Sequence, residues 1–372
     1  MEEQAKKVFP VSKYIKDELV TRGWTQADLA YVMGRKGSEI STLLNGRRQL
    51  SPELAQELGV VLGKGAEHWL GIDNAFRLSQ TEYVDQEIVL RSELFSFPIK
   101  EMQKRSWIPE TRDTEALQLE LRRFLDDGFG SPQSDSYELP FATSFKRTTK
   151  ESSLNKAERA WLARAKQLAR ACPIGNFDES NIPNLKTELR RLAAKTQAAQ
   201  RVPELLRAAA IRFVVVEPLP TVKIDGAAFW LDAQSPVIAM SLRFDNIGSF
   251  WYVLLHELDH VEHKDTFSFD DLQSKPNDEA EERASENAAN LLVPRHELEA
   301  FIRACAPRYS EARINNLATR LQIHPGIIVG QLQHRGELSH AAHRKLMTKI
   351  RELVTQFAFT DGWKQPIPQP LG

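Results

Sequence analysis

The sequence predicts a mainly α protein, with an all-α N-terminal domain and a C-terminal α+β domain that holds one small sheet. The first observation is that apolar residues recur at helical spacing through 11–78, where glycines punctuate the helices. The second is a change of character after residue 210. Three apolar runs with short connections, the first of them rich in β-branched residues, predict a small antiparallel or mixed sheet, at 211–219, 226–231 and 236–242.

Further helices are predicted on both sides of this sheet. Helical spacing covers 151–172 and 185–210 before it, and about 247–263, 278–293 and 310–320 after it. A stretch rich in Gly, Ser, Asp and Pro at 126–136 predicts a loop or linker, and the Pro-rich end is expected to fray. These features divide the chain into a helical N-terminal domain, a helical connector with a loop, an α+β domain and a C-terminal tail, at 1–78, 79–150, 151–345 and 346–372.

Length and composition exclude several classes of protein. The chain has 372 residues, which corresponds to two or three domains. The formal net charge of −1 excludes a basic coat over the whole molecule, so nucleic-acid contact requires a local patch. Two cysteines, Cys172 and Cys305, are too few for a disulfide scaffold. No segment has the length of a membrane span and the N-terminus has no secretory signal pattern, so we expect a cytoplasmic protein without membrane contact.

The stretch TQADLAYVMGRKGSEISTLLNG at 25–46 has the layout of a helix-turn-helix. Thr25 can cap a first helix, Gly34 supplies the turn, and Asn45-Gly46 ends a second helix. The alternative is a solvated helical bundle used for dimerisation. We favour DNA binding because cations flank the second helix and polar side chains face outward from it. The candidate DNA-binding residues are Arg35, Lys36, Ser38, Glu39, Thr42, Arg47 and Arg48.

Several segments of this domain are similar to a known family. GWTQADLA, EISTLLNGRRQLSPELA and EHWLGID resemble the HigA-like, lambda-repressor-type (XRE) antitoxin domain across about 11–78. The resemblance implies that a homodimer reads operator DNA with the second helix. Gly37 departs from the pattern, since a base-reading side chain is common near the start of that helix.

The segment WYVLLHELDHVEH at 251–263 contains His-Glu-x-x-His. His256 and His260 are four residues apart, so both imidazoles project from one helical face, where they suit zinc. Glu257 can take a proton from metal-bound water. The alternative is a surface helix with two histidines and an acid. His263 is a further candidate, although a histidine at a helix C-terminus is explained by the helix dipole, and we favour that explanation.

A third ligand is expected from the helix at 278–294. Glu281 leads the small apolar stripe of that helix, and a carboxylate that points at the core needs a cationic partner such as zinc. Glu282 and Glu286 lie on a neighbouring face, which we expect to be solvated.

This region resembles the ImmA/IrrE family of zinc metallopeptidases over about 150–340. The residues that carry the resemblance are KIDGAAFWL, PVIAMSLRFDN, FWYVLLHELDHVEH, EERASENAANLLVP and IHPGIIVGQLQHRGEL. It implies a zincin-like fold of the gluzincin type, Zn²⁺ held by His256, His260 and Glu281, and Glu257 as the catalytic acid/base. Asp259 stands where Gly is frequent, and Ser285 and Asn287 replace the usual Asn and aromatic.

The site's other parts are less determined by the sequence. Strand 236–242 is the expected edge for a peptide substrate, and Tyr252, His263 and Arg243 are equal candidates for stabilising an oxyanion. Two functions follow from the two resemblances. In one, the chain is a DNA-binding regulator whose zinc-dependent metallopeptidase domain cleaves a repressor or another partner protein. In the other, it is an antitoxin or autorepressor whose zinc domain senses a signal or holds a cognate toxin.

Overall fold

The computed structural model describes residues 8–80, 85–129, 154–265, 267–270 and 279–363. The chain divides into two compact units, Met1–Leu90 and Arg91–Gly372. Within the described ranges no helix combines the length and the apolar character that a membrane crossing needs. Most of the predicted linker at 126–136 and the Pro-rich end at 364–372 lie outside the described residues. Residues 126–129, the start of that linker, are helical.

The first unit is an all-α bundle. A sixth helix, α6 (Gln86–Leu94), contains the boundary between the units. The bundle helices close on one core in which Trp69 and Leu58 are fully buried. Each such side chain contributes about 1.5–3 kcal/mol through removal of apolar surface from water. The five bundle helices are α1 (Val11–Arg22), α2 (Gln26–Val32), α3 (Gly37–Leu44), α4 (Pro52–Leu62) and α5 (Gly65–Gln80).

The turn between α2 and α3 is built as the sequence predicts. Thr25 forms a capping box with Asp28 at the start of α2. Gly34 has φ of 60° and Gly46, beyond the end of α3, has φ of 69°, a backbone conformation that favours glycine. The Gln26 side chain donates to the Gly37 carbonyl at 3.2 Å, which ties the two helices together.

The second unit begins with five helices that pack on or beside its sheet. Trp161 donates its indole N–H to the Val216 carbonyl at 2.9 Å and so fixes the helix at 156–171 on the sheet. Residues 91–129, assigned to a connector on sequence grounds, lie in this unit: Trp107 stacks on Phe124 and donates to Asp361 at 2.9 Å. The helices are α7 (Ile99–Lys104), α8 (Thr114–Phe129), α9 (Lys156–Ala171), α10 (Ile182–Leu192) and α11 (Val202–Ala208).

The sheet is small and mixed. The strands are β1 (Arg212–Val216), β2 (Gly226–Trp230), β3 (Pro236–Met240), β4 (Phe267–Asp270) and β5 (Phe359–Asp361). Their order is β4-β2-β3-β1-β5, with β1 parallel to β3 and β5, and β2 antiparallel to β3 and β4. The three predicted strands are confirmed, and the structure adds two short ones.

The segment assigned to a tail supplies part of this unit. Residues 351–361 form a short helix and β5, and β5 pairs with β1 from Val214 to Val216. Buried Asp361 anchors the strand through Arg164 and Trp107. A strand of three residues is too short to show the alternation of apolar and polar residues by which strands are recognised.

The face of the sheet that carries Phe213 and Val215 is covered by a long apolar helix, α12 (Ile247–Glu262), which shares its core with α10 and α11. Its residues Phe250, Trp251 and Leu254 are buried in the main core of the unit. The predicted long helices agree with the structure to within one or two residues, which is the usual uncertainty of helix ends. The helices that follow are α13 (Glu279–Leu292), α14 (Arg295–Cys305), α15 (Glu311–Leu321), α16 (Pro325–His334) and α17 (Arg351–Thr355).

Candidate functional site

The candidate metal ligands converge from two helices. His256 and His260 project from one face of α12, with their Nε2 atoms 3.0 Å apart. Glu281 reaches them from the first turn of α13, with Oε2 3.1 Å from His256 Nε2 and Oε1 3.4 Å from His260 Nε2. One nitrogen or oxygen donor per residue, all within 4.8 Å of one another, is the donor set of a three-ligand zinc site.

Each histidine is held through its other ring nitrogen. Asp265 Oδ2 lies 2.6 Å from His260 Nδ1, and the Ser285 hydroxyl lies 3.4 Å from His256 Nδ1. Burial alone would lower the pKa of His260, but its bonds to Glu281 and Asp265 outweigh burial and raise it. Carboxylate and hydroxyl partners of this kind orient imidazoles toward a metal, so the surroundings fit zinc as well as the ligands do.

Asp259 is buried, but its charge is balanced on the side of α13. Asn287 donates to its Oδ1 at 2.8 Å and Arg283 Nε to its Oδ2 at 3.0 Å. Burial would raise the pKa of Asp259, yet these two hydrogen bonds lower it. Arg283 also binds Asp265, so a chain of contacts links Asp259 to ligand His260. Asp259 and Asn287, which both depart from the family pattern, therefore contact each other. The negative charge of Asp259 is directed at Arg283 and Asn287 and is not available to a substrate.

Glu257 lies inside the unit, against the start of β2. Its exposure is 0%, and both carboxylate oxygens are buried. A Cβ added at Gly226 would lie 2.6 Å from Glu257 Oε1 and 2.6 Å from Val253 Cγ1. Only a glycine allows this close approach of strand and helix. Sequence reasoning missed Gly226, because nothing in the sequence pairs it with Glu257.

The three oxyanion candidates differ in their surroundings. His263 Nδ1 lies 2.8 Å from the Asp259 carbonyl oxygen, in keeping with the helix-end interpretation. Arg243 forms a two-point ion pair with Asp225. Tyr252 is half-buried, and its ring centroid lies 6.0 Å from that of His256. The ring of exposed His334, a residue that sequence reasoning missed, lies 6.0 Å beyond Tyr252.

The expected substrate edge at 236–242 is wrong. β3 lies between β2 and β1, so its backbone is already paired on both sides. β4 is the edge strand next to β2, with Gly226 opposite Asp270. No pattern in the sequence indicates β4, a short strand that follows the helix of His256 and His260.

The outward face of α3 holds part of the predicted DNA-binding set. Lys36, Ser38, Thr42 and Arg47 are exposed, and the Thr42 hydroxyl donates to the Ser38 carbonyl at 2.8 Å. Gly37 is exposed too, and a Cβ there would meet no atom within 4 Å. This face therefore has four side chains available and a gap at Gly37.

The remaining three predicted residues form ion pairs within the bundle. Arg35 binds Glu57 through Nε at 2.6 Å and Glu39 through Nη1 at 3.0 Å. These bonds, first to Glu57 and then to Glu39, raise the pKa of Arg35. Arg48 lies 3.6 Å from Glu39. Arg35 joins α3 to α4, whereas Arg48 remains exposed enough to reach a phosphate.

Comparison with known proteins gives one family match and one relative. Residues 212–332, which include α12, α13 and the whole ligand set, match the family model Peptidase_M78, described as the IrrE N-terminal-like domain. An uncharacterized HTH-type transcriptional regulator, YddM of Escherichia coli (strain K12), is 38% identical over 55 residues, or 15% of this chain. The chain covers 58% of that relative's length. The protein is thus similar in part to an HTH-type regulator and carries an IrrE N-terminal-like, metallopeptidase-like domain over residues 212–332.

Proposed function

We propose that the chain is a cytoplasmic DNA-binding transcriptional regulator whose metallopeptidase-like domain binds Zn²⁺ and cleaves a repressor or another partner protein. The single observation that carries the proposal is the convergence of His256, His260 and Glu281, with Glu257 next to the first ligand in the chain. The match to the IrrE N-terminal-like domain supports the same function. In this proposal the three convergent residues hold zinc, and Asp265 and Ser285 orient the two imidazoles.

Zinc bound there would lower the pKa of water and polarise a peptide carbonyl. Glu257 supplies the proton transfer: its carboxylate accepts a proton from the attacking water and gives it to the leaving nitrogen. Among the strands that the structure describes, β4 is at the edge next to β2, and its outer side offers backbone groups on which an extended substrate could align.

For the N-terminal unit we propose operator binding as a homodimer, with α3 in the major groove. Support comes from the capped α2–α3 turn, the exposed residues Lys36 and Arg47 and the partial similarity to an HTH-type regulator. Arg35 is better explained as a structural ion pair with Glu57 than as a phosphate contact.

Zinc content of the full chain tests the metal site. We expect about one zinc per chain in the wild type, and its loss in His256→Ala and in Glu281→Ala. His263→Ala is the matched control and should keep its zinc, because His263 contacts Asp259. Full zinc occupancy in Glu281→Ala would refute the ligand set.

The variant Glu257→Gln tests cleavage separately from zinc binding. It should keep zinc and lose cleavage, and unchanged cleavage would remove the peptidase proposal.

A second candidate function is an antitoxin or autorepressor in which the zinc domain is a sensor or holds a cognate toxin. The observation that favours it is the complete burial of Glu257, which a catalytic carboxylate must lose to meet a substrate. Two results with Glu257→Gln in cells would favour this function. The variant would repress its own promoter normally, and no other protein would accumulate, as an uncleaved substrate would. A toxin-sized reading frame beside the gene would point the same way, and a separate repressor gene would favour the peptidase.

A further inference from the structure

The segment that follows α16 concentrates positive charge. Between residues 334 and 349 the chain carries four Lys or Arg residues and a single acid, Glu337. We call its exposed cationic and imidazole side chains the basic strip: His334, Arg335, His340, Arg344, Lys345 and Lys349. Among the residues that the structure describes, no ion pair within 4 Å engages Arg335, Arg344, Lys345 or Lys349. Arg335 acts at longer range on Glu299, whose pKa is lowered first by Arg295 and to a smaller extent by Arg335.

The one acid of the segment, Glu337, is bound by the buried residue Tyr309. The Tyr309 hydroxyl donates to the Glu337 carboxylate. Burial and this hydrogen bond raise the pKa of Tyr309 to about 12. The phenol therefore stays protonated and continues to donate its hydrogen bond to Glu337. His343 Nε2 lies 2.8 Å from the Tyr309 carbonyl oxygen, so one residue fixes the segment at two points. Glu337 is therefore turned to Tyr309 and not to the cations of the basic strip.

The segment is also anchored to the helix that carries the metal ligands. The Ile247 amide, at the start of α12, donates to the Thr348 carbonyl at 2.9 Å. The Ile350 amide donates to Asp245 Oδ1 at 2.9 Å. Gly326 permits close contact with the Leu346 carbonyl oxygen, which any added Cβ would strike. The backbone of the segment is therefore fixed at these points, and the exposed side chains of the basic strip project from it.

A row of rings connects this surface to the metal site. The centroids of His334 and Tyr252 are 6.0 Å apart, those of Tyr252 and His256 are 6.0 Å apart, and those of His256 and His260 are 4.8 Å apart. His334 is exposed and His256 is a proposed zinc ligand, so the row leads from the basic strip to the site of cleavage.

We propose that the basic strip binds an acidic segment of the protein substrate and so presents the adjoining peptide to the metal site. The inference rests on the proposed peptidase function and names its substrate class. Unpaired cations at an exposed surface attract carboxylates through long-range charge and set which partner is accepted. A peptide is favoured over nucleic acid because His334, a member of the basic strip, begins the row of rings through Tyr252 to the proposed peptidase centre.

The test measures binding in the full chain with Glu257→Gln, so that no probe is cut. The probe is a fluorescein-labelled peptide of alternating Glu and Ala, followed by fluorescence anisotropy; a Lys–Ala peptide and a duplex DNA of random sequence serve as comparisons. Arg344→Gln/Lys345→Gln removes two charges from the basic strip. The matched control is Lys100→Gln/Arg112→Gln, two exposed cations of the same unit that lie far from residues 334–349 in sequence.

We expect the Glu–Ala peptide to bind more tightly than the Lys–Ala peptide, and the change in the basic strip to weaken it about five- to tenfold at low salt. The control pair should change affinity less than twofold, and added salt should abolish the difference. Equal effects of the two double variants, or none, would overturn the proposal. A larger loss of DNA affinity than of peptide affinity would also overturn it, in favour of a nucleic-acid surface. Because binding is read without cleavage, inactivity of the unmutated protein would remove the peptidase proposal alone.

Discussion

Gly226 is the residue that most directly sets where Glu257 lies. We expect Gly226→Ala to push the Glu257 side chain away, because the new Cβ would approach its Oε1 to 2.6 Å. Zinc content should persist, cleavage should fall at least tenfold, and crowding should cost about 1–3 kcal/mol in the free energy of unfolding. Gly330→Ala in α16 is the control, since its Cβ would meet Gly248 Cα at an ordinary 3.6 Å. Normal cleavage by Gly226→Ala would show that Glu257 is not positioned in this way.

Arg283 balances the buried Asp259. We expect Arg283→Met to destabilise the protein by about 1.5–3 kcal/mol, because Asp259 is 1% exposed and would lose a charged hydrogen bond. Lys186 and Asn287 would replace that bond only in part. Adding Asp259→Asn should recover most of the loss, as shown by urea unfolding of both variants. Purely additive effects of the two substitutions would mean that the ion pair is not what couples them.

The convergence of His256, His260 and Glu281 could be predicted residue by residue, whereas the surroundings of the three residues could not. The spacing of His256 and His260 is local, and the apolar stripe of α13 identified Glu281 as the acid that faces the core. Asp265 and Ser285 contact the histidines through tertiary packing that leaves no periodic signal. Arg35 shows the opposite error: its place beside α3 suggested phosphate, but the bond to Glu57 depends on α4.

At the scale of elements, α3 gives the third prediction. Arg47→Ala/Arg48→Ala should weaken binding to the chain's own promoter fragment and flatten its salt dependence, by about two in the slope of log affinity against log salt. Thermal stability should hardly change, because both residues are exposed. Arg35→Ala is the contrasting variant: we expect it to lower stability by about 1 kcal/mol through loss of the pair with Glu57. Promoter binding that ignores both salt and Arg47→Ala/Arg48→Ala would contradict α3 as the DNA-contacting helix.

Elements were predictable where their own residues define them. The helical spacing of α12 and the β-branched run of β1 gave their types and approximate ends. β4 and β5 have four and three residues, and each is a strand only because a neighbour pairs with it. The placing of 91–129 in the second unit likewise depends on contacts such as that of Trp107 with Asp361, across more than two hundred residues.

For the whole molecule, a net charge of −1 does not show that exposed cations concentrate in two places. Cations that flank α3 are exposed in the first unit, and those of the basic strip in the second. Two of the acids that offset them are engaged by other side chains, Glu337 by Tyr309 and Asp259 by Arg283. Net charge therefore constrains the average surface, while the position of each ion pair decides which charges face a partner.

The division into two units leads to the last prediction, that removal of zinc affects only one of them. All three proposed ligands lie in 91–372, and the first unit has its own core around Trp69. Zinc at a thousand times its Kd would stabilise the fold that binds it by about 4 kcal/mol. In a unit of this size a chelator should therefore lower Tm by roughly 10 °C. Scanning calorimetry with and without chelator should show one transition that moves and one that does not, with promoter binding preserved. Equal shifts of both transitions, or none, would mean that zinc does not stabilise the second unit as an independent fold.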